Sequence, residues 1–450
     1  MTRAPGAHDG VSTAAPRERA LVLHPVPEGR AESRGDSEIE HRLAEAAGLA
    51  HALDFDVAEA SSVRLRKIVP ATYLGTGRVE TLKQTIEAQA ITVVVLDAAL
   101  SPVQQRNLEK AWNAKVIDRT GLILEIFARR ARTHEGRLQV ELARLAYERS
   151  RLVRTWTHLE RQRGGLGKTG GPGETQIELD RRQIADRIVR LKRELEDVRR
   201  TRALARRARS RAGYPSVVLV GYTNAGKSSL FNRLTRAGVF AKDMPFATLD
   251  PTSRLVRLPS GRSAIFSDTV GFITDLPTEL IAAFRATLEA VSEADLLVHV
   301  RDIAHPETES QKADVMAVLA ELDKSRPLPP IVEAWNKIDL LDAERRAARL
   351  ARALATEAKP PVPISALTGE GAEALLAAVD QAAFAAQRLV ALRLDPADGR
   401  TRAWIAARGK ILEERLDADG RMALTVELSG EDAARLDPAL IAAPERLAAE

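Results

Sequence analysis

The run Gly221-Tyr222-Thr223-Asn224-Ala225-Gly226-Lys227-Ser228 combines a glycine-rich loop with a lysine and a hydroxyl. Glycines let successive backbone N–H groups converge on phosphate oxygens. Lys227 can then reach the β- and γ-phosphates, and Ser228 can ligand Mg²⁺. Such a loop needs a strand before it and a helix after it, because the helix N-terminus adds its positive end to the cradle. Residues 216–220, Ser-Val-Val-Leu-Val, read as a buried parallel strand, and the apolar spacing of 229–234 suits a helix. Gly221 to Ser228, with Ser229 behind them, are therefore assigned to a nucleoside triphosphate.

Further motifs follow in order. Residues 246–252 offer the Thr248 hydroxyl to Mg²⁺ and the γ-phosphate. An apolar run at 263–267 ends in Asp268-Thr269-Val270-Gly271. Asp268 fits the acid that holds Mg²⁺ through water, and Gly271 can turn its N–H onto the γ-phosphate. Lys227, Thr248 and Gly271 are the catalytic candidates, and Ser228, Thr248 and Asp268 the metal candidates. After strands at 296–300 and 331–335 comes Asn336-Lys337-Ile338-Asp339, and 362–364 lead into Ser365-Ala366. The Asp339 carboxylate can accept from guanine's ring N–H and exocyclic amine, a pair of donors that adenine lacks. Asn336 is assigned to the N7/O6 edge, Lys337 to the ring face, and Ser365 and Ala366 to support of the base. These residues select GTP and its product GDP. Phe272 stands where Ras-like proteins place the glutamine that orients the attacking water, so slow intrinsic turnover is expected. Asn224 offers an amide oxygen to a monovalent cation such as K⁺, which would supply part of an arginine finger's electrostatic work.

The elements around these motifs imply an α/β chain of about three domains. Residues 1–18 read as a disordered start. Across 19–133, apolar runs at 20–23, 53–57 and 91–96 alternate with helical patterns at 37–49, 77–88 and 102–111. This predicts an open, mainly parallel sheet covered by helices. Asp97 ends a strand with a structural part to play, Ser101 is a helix cap, and Gly75-Thr76-Gly77 is a turn. Residues 134–212 read as an antiparallel helical hairpin. Leu138, Leu142, Leu145, Leu152, Trp156 and Leu159 form one seam, and Ile177, Ile184, Ile188, Leu191, Leu195 and Val198 the other. A glycine-rich tip at 163–173 joins them. Residues 213–387 are the doubly wound nucleotide domain. Residues 388–450 read as a small α+β module with strands at 390–394, 411–416 and 422–428, a hairpin turn at Asp419-Gly420, and a docking role.

Charge and composition narrow the partners. The chain carries a formal net charge of +5 and a sequence pI near 9.5. The second hairpin helix concentrates the excess in Arg181, Arg182, Arg187, Arg190, Lys192, Arg193, Arg199, Arg200, Arg202, Arg206, Arg207, Arg209 and Arg211. Only Asp186, Glu194, Glu196 and Asp197 oppose them. So one-sided a stripe suits RNA phosphates better than a merely solvated face. The chain has no cysteine, which excludes disulfides and thiolate metal sites and fits a reducing compartment. No run of 18 apolar residues is present, and the start lacks the apolar core of a signal peptide. A soluble, cytoplasmic protein is expected.

Together these motifs resemble the HflX-type, translation-factor-related GTPases over residues 19–380. The most specific stretches are 101–109, 118–120, 135–142, 171–176, 221–228, 246–252 and 268–273. The resemblance implies a monomeric GTPase that binds the large ribosomal subunit and its rRNA, not DNA or a membrane, and splits stalled or idle ribosomes. It implies that the hairpin's glycine loop reaches towards the peptidyl transferase centre, that Thr248 is the switch threonine, and that Phe272 is the group's hydrophobic substitution. It also implies ATP binding in the first domain, where the residues show no phosphate motif. The tip departs from common family versions in length and internal residues. A competing reading is a GTP-dependent switch acting through protein partners, with the hairpin as a docking coiled coil. An RNA-unwinding ATPase is disfavoured by Asp339.

Overall fold

The computed structural model describes residues 17–28, 36–162, 172–211, 214–236, 245–246, 248–274, 285–322, 327–356, 359–385, 387–417 and 419–441. Residues 1–16 of the expected disordered start and the glycine-rich run 163–171 at the tip lie outside them. So do the side chains of Leu152, Trp156, Leu159, Ile177 and the arginines from Arg206 onward. The chain divides into two compact units, residues 1–191 with 277–283, and 192–276 with 284–450.

In the first unit, β1 (Arg19–Pro27), β2 (Asp56–Leu65), β3 (Val93–Leu96) and β4 (Lys115–Asp118) form an all-parallel sheet in the order β2-β1-β3-β4. Every residue of β3 is buried, as a strand covered on both faces demands. Crossover helices α1 (Asp36–His51), α2 (Thr76–Ala88) and α3 (Pro102–Trp112) link the strands, and α4 (Arg119–Arg130) follows β4. Two details depart from the sequence reading. Leu53 and Phe55 are buried in the turn after α1, with Asp54 at φ 62°, so β2 starts at Asp56 and runs through the polar Ser61 and Ser62. β4 is a four-residue strand, too short to announce itself by periodicity.

Asp97, just past β3, meets His24 Nδ1 at 2.7 Å and Arg119 at 2.5 Å, while Glu45 holds the other arm of Arg119 at 2.6 Å. Burial pushes the Asp97 carboxyl up, but His24 and Arg119 outweigh it and hold it below the usual range. Ser101 caps α3 in a capping box with Gln104.

The hairpin helices are α5 (His134–Gln162) and α6 (Pro172–Arg211). Leu138, Leu142, Ile188 and Leu191 are buried along the seam. Glu141 pairs with Arg187 at 2.8 Å, while Leu145 and Glu148 line a groove with Asp180 and Ile184, an antiparallel order. The root of α5 is tied down. Tyr147 Oη donates to Asp118 Oδ1 at 2.7 Å, and Arg151 donates to Tyr147 Oη at 2.5 Å and to Gln105.

The second unit holds a six-stranded sheet in the order β10-β9-β8-β5-β7-β6. Its strands are β5 (Ser216–Val220), β6 (Thr252–Arg257), β7 (Ser263–Asp268), β8 (Leu296–Asp302), β9 (Ile331–Asn336) and β10 (Val362–Pro363), and only β6 runs antiparallel to its neighbour. Val217, Leu219, Phe231, Phe266, Val298 and Leu375 belong to one buried cluster. Each such side chain contributes about 1.5–3 kcal/mol on burial. Helices α7 (Lys227–Thr235), α8 (Arg285–Ser292), α9 (Thr308–Leu322), α10 (Ala343–Thr356) and α11 (Ala372–Ala383) accompany the sheet. A third sheet, β11 (Gln387–Leu394), β12 (Lys410–Leu416) and β13 (Met422–Ser429), has β13 in the centre, with α12 (Gly399–Arg408) and α13 (Gly430–Ala434) beside it. Gly420, at φ 74°, turns β12 into β13 as the Asp-Gly pair suggests.

Candidate nucleotide site

β5 lies between β8 and β7, so the chain leaves it to opposite sides of the sheet. Ligands bind at the carboxyl end of a strand in that position. A cleft of about 450 Å³ opens there, lined by Thr223, Asn224, Gly226, Lys227, Ser228, Ser229, Thr248, Gly271, Asn336, Lys337, Asp339 and Ala366. Gly221, Tyr222, Ala225, Asp268 and Ser365 are not part of its wall. Gly221 lies at φ 147° against β8, where an added Cβ would fall 2.2 Å from the Val300 carbonyl.

The loop is clamped from two sides. Lys227 Nζ donates to the Tyr222 carbonyl at 2.7 Å and so closes the arch. Thr223 N donates to the Phe272 carbonyl at 2.7 Å, and Phe272 N to the Gly221 carbonyl at 3.1 Å. Phe272, buried, thus joins the loop as a short parallel bridge. Gly271 packs where a Cβ would lie 2.7 Å from Thr223 Cα and 2.8 Å from Lys227 Nζ, so only glycine fits. Burial of Lys227 pulls its ammonium down to about 8 against the upward pull of Asp268, which leaves it primed for an anion.

Three oxygens converge beside the lysine. Ser228 Oγ lies 2.7 Å from Thr248 Oγ1 and 2.6 Å from Asp268 Oδ2, and Thr248 Oγ1 donates to Asp268 Oδ2 at 2.8 Å. Asp268 Oδ1 is buried and has no hydrogen-bond partner among the described residues. Burial raises the Asp268 carboxyl despite Ser228, Lys227 and Thr248. A carboxylate with one orphan oxygen, flanked by two hydroxyls, suits a hard oxygen-seeking dication.

At the other end, Asn336 is buried and bridges two loops. Its Nδ2 donates to the Ala225 carbonyl at 2.8 Å, and its Oδ1 accepts from Ala366 N at 2.9 Å. The amide assigned to the base edge thus spends one hydrogen and one lone pair on bracing, with one N–H left for a ligand. Gly226, at φ 91°, allows this approach, since a Cβ there would sit 2.1 Å from Nδ2. Lys337 is left-handed at φ 63° and pairs with Asp302 at 2.7 Å. Asp339 is exposed in a short 3-10 turn at the mouth. The Ser365 hydroxyl accepts from Thr368 N at 3.1 Å and shapes the loop beyond β10. Asn224, at φ 61°, is exposed at the rim. Sequence reasoning missed Arg233, which donates to the Ala366 carbonyl at 3.2 Å and to that of Leu367, and Phe246, buried at φ 55° in the lining. An arginine inside a helix carries no local signal of such a contact.

A phosphate loop at the switch point, an acid beside its serine, and an Asn-Lys-x-Asp turn bridged to the loop define a P-loop GTPase. Comparison with known proteins agrees. Residues 40–128 match a family model described as GTP-binding GTPase N-terminal, 130–209 one described as GTP-binding GTPase Middle Region, and 216–337 one described as 50S ribosome-binding GTPase. "GTPase HflX" of Magnetococcus marinus is 53% identical over 369 residues, 81% of this chain and 83% of that protein. "GTPase HflX" of Escherichia coli K12 is 46% identical over 83% of this chain and 87% of that protein. The chain belongs to the HflX family of GTPases, and it hydrolyses GTP.

Proposed function

We propose that this GTPase binds the large ribosomal subunit and uses GTP to part the subunits of stalled or idle ribosomes. The observation that carries the reading is the joining, in one chain, of a guanine-type cleft to two long helices. Helix α5 has 29 residues and α6 has 40, about 43 and 60 Å at 1.5 Å per residue. Arg181, Arg182, Arg190, Lys192, Arg193 and Arg200 of α6 are all exposed, an electrostatic footprint for rRNA phosphates. The model matched by residues 216–337 bears a ribosomal description, and the named relatives belong to the same family. No described helix is long and apolar enough to cross a membrane, and a cytoplasmic monomer fits the reading.

Within the cleft, Lys227 binds the β- and γ-phosphates, and Gly271 brings its peptide against the lysine where the γ-phosphate ends. Ser228, Thr248 and Asp268 would hold Mg²⁺, and the orphaned Asp268 oxygen fits that role. A dication held by those three residues would supply positive charge against the charge that develops on the phosphates. Asp339 accepts from guanine's two donors, and Asn336 ties that recognition to the phosphate loop. Phe272 has no group to orient water, so the residues present favour slow turnover until a partner, or a cation at Asn224, completes the site.

Sedimentation with purified large subunits tests the reading. Binding should be stronger with a non-hydrolysable GTP analogue than with GDP and should weaken steeply with salt. Replacing Arg181, Arg182, Arg190 and Arg193 by Ala should flatten the salt dependence. Arg199 is a poorer choice, because it pairs with Glu289 at 2.7 Å. Deleting residues 164–171 should leave binding intact and abolish subunit splitting, read by light scattering. Normal splitting by that deletion would reduce the tip to a linker and refute the mechanism.

A further inference from the structure

Strands β6 and β7 form a hairpin that carries two of the three metal candidates, Thr248 and Asp268, at its nucleotide end. Thr248 lies just before β6, and Asp268 is the last residue of β7, in register with Thr252. β6 is the edge strand, and β7 meets β5 through only Ser216↔Ile265, Val217↔Phe266 and Val218↔Ser267. The hairpin's far end is a tight turn, with Leu258 N donating to the Arg262 carbonyl at 2.7 Å and Gly261 at φ 81°.

Arg262 at that turn reaches in three directions. One arm donates to Glu427 Oε1 at 2.5 Å, the other to Asp380 Oδ1 at 2.8 Å, and Nε to Ser260 Oγ at 2.9 Å. The guanidinium lies 3.7 Å above the Phe384 ring centroid. Ser260 adds its own N–H and hydroxyl to Asp380 at 2.8 and 2.9 Å. Glu427 and Asp380 are each only 6% exposed. Asp380 belongs to α11, and Glu427 to β13, the central strand of the C-terminal sheet. Two nearly buried carboxylates thus share one guanidinium whose side chain keeps 25% of its surface exposed. Buried ion pairs of this kind add little net stability but hold one geometry, because losing a partner strands a charge.

We propose that Arg262 is a positioning residue of the GTPase centre, through which the C-terminal sheet holds the β6–β7 hairpin in its triphosphate-binding position. The inference rests on the assignment of Thr248 and Asp268 to the metal and γ-phosphate. At the nucleotide end, the latched hairpin has Thr248 and Asp268 against Ser228, and Thr248 is the one of the three assigned to the γ-phosphate, which a diphosphate lacks. The C-terminal sheet is then a working part of the nucleotide response rather than a passive appendage. Linkage makes the effect reciprocal: by whatever factor the triphosphate tightens the latch, the latch tightens triphosphate binding over diphosphate.

The test is the ratio of dissociation constants for a non-hydrolysable GTP analogue and for GDP, measured on the full chain with Mg²⁺. Glu427→Gln and Arg262→Lys, which keep side-chain size and a polar group, should weaken the analogue relative to GDP by about fivefold, at the low end of known couplings. Arg402→Ala, which breaks the exposed pair with Glu414 on the outside of the same module, should leave the ratio unchanged. A wild-type ratio in both latch variants, with unchanged melting, would overturn the proposal. Hydrogen exchange on the unmutated protein gives a second reading free of folding defects. The amides of β13 should be better protected with the analogue than with GDP, and equal protection would overturn the proposal too. Thr248→Ala separates the premises. It should lower analogue affinity by itself, and if it does not, the metal assignment fails rather than the latch geometry.

Discussion

Replacing Asn336 by Ala removes a side chain that joins the phosphate loop to the base loop. Its amide satisfies the Ala225 carbonyl and the Ala366 N–H, both in buried surroundings. Each group left unpaired costs about 1–3 kcal/mol. The cleft is open to water, which favours the lower figure for each, so about 2 kcal/mol is expected for the pair. The free protein can hydrate both groups through the open cleft, whereas a bound nucleotide covers them, so the cost falls on binding, and at 1.4 kcal/mol per tenfold GDP should bind about thirtyfold more weakly. Calorimetric titration with GDP and with ADP reads this directly, and the guanine-to-adenine preference should fall with it. Gly226→Ala attacks the same bridge from the opposite side, because its Cβ would lie 2.1 Å from Asn336 Nδ2 at a backbone φ of 91°. The two variants should therefore fail alike. GDP affinity within threefold of wild type in Asn336→Ala, at unchanged melting temperature, would refute the bracing argument.

Asp339→Asn puts a donor against guanine's donors, so GTP affinity should drop while xanthosine triphosphate gains. Unchanged GTP affinity in a competition assay would remove Asp339 from base reading. Potassium should raise the hydrolysis rate above that in sodium, with ribosomes present, and Asn224→Ala should erase the difference; equal rates in the two salts would dismiss the cation. Burial holds His299 down to about 4, below its unfolded value near 6.5. The unfolded chain therefore binds more protons between those values, and stability should fall as pH drops from 6.5 towards 4, by up to about 3 kcal/mol. His299→Gln should flatten the melting temperature between pH 6.5 and 4.5, above the range in which Glu333, held near 2 by Arg301 and Lys312 against the pull of burial, begins to protonate. An identical slope in the variant would contradict this.

What the sequence made legible follows the strength of each local signal. The loop from Gly221 to Ser228 stands between a strand apolar at Val217, Val218, Leu219 and Val220 and a helix, so the type of both flanking elements is legible. β3 and β5 show the continuous apolar run of doubly covered strands. β6, with exposed Arg254 and Leu255, lies at the edge and lacks a clean pattern, so its sequence carries no strand signal. β2 hid for a similar reason. The Arg262 contacts were invisible because they join residues more than a hundred positions apart. Asn336 shows the same limit within the site. Its motif announced a base contact, and only the fold shows that half of its amide is spent holding two loops together.

The tie at the root of α5 has a mechanical consequence. Asp118 sits at the end of β4 and caps α4 through Gly121 N at 2.8 Å, and it also takes the Tyr147 hydroxyl, on which Arg151 rests. Helix α5 is thus built into the wall of the first sheet well beyond its own start, like a cantilever gripped partway along its length. A beam's deflection under load grows with the cube of its free length. The overhang past the grip is residues 152–162, about 16 Å at 1.5 Å per residue, and not the whole helix. Force applied at the far end is delivered to the sheet as torque on a stiff lever and is not lost in bending.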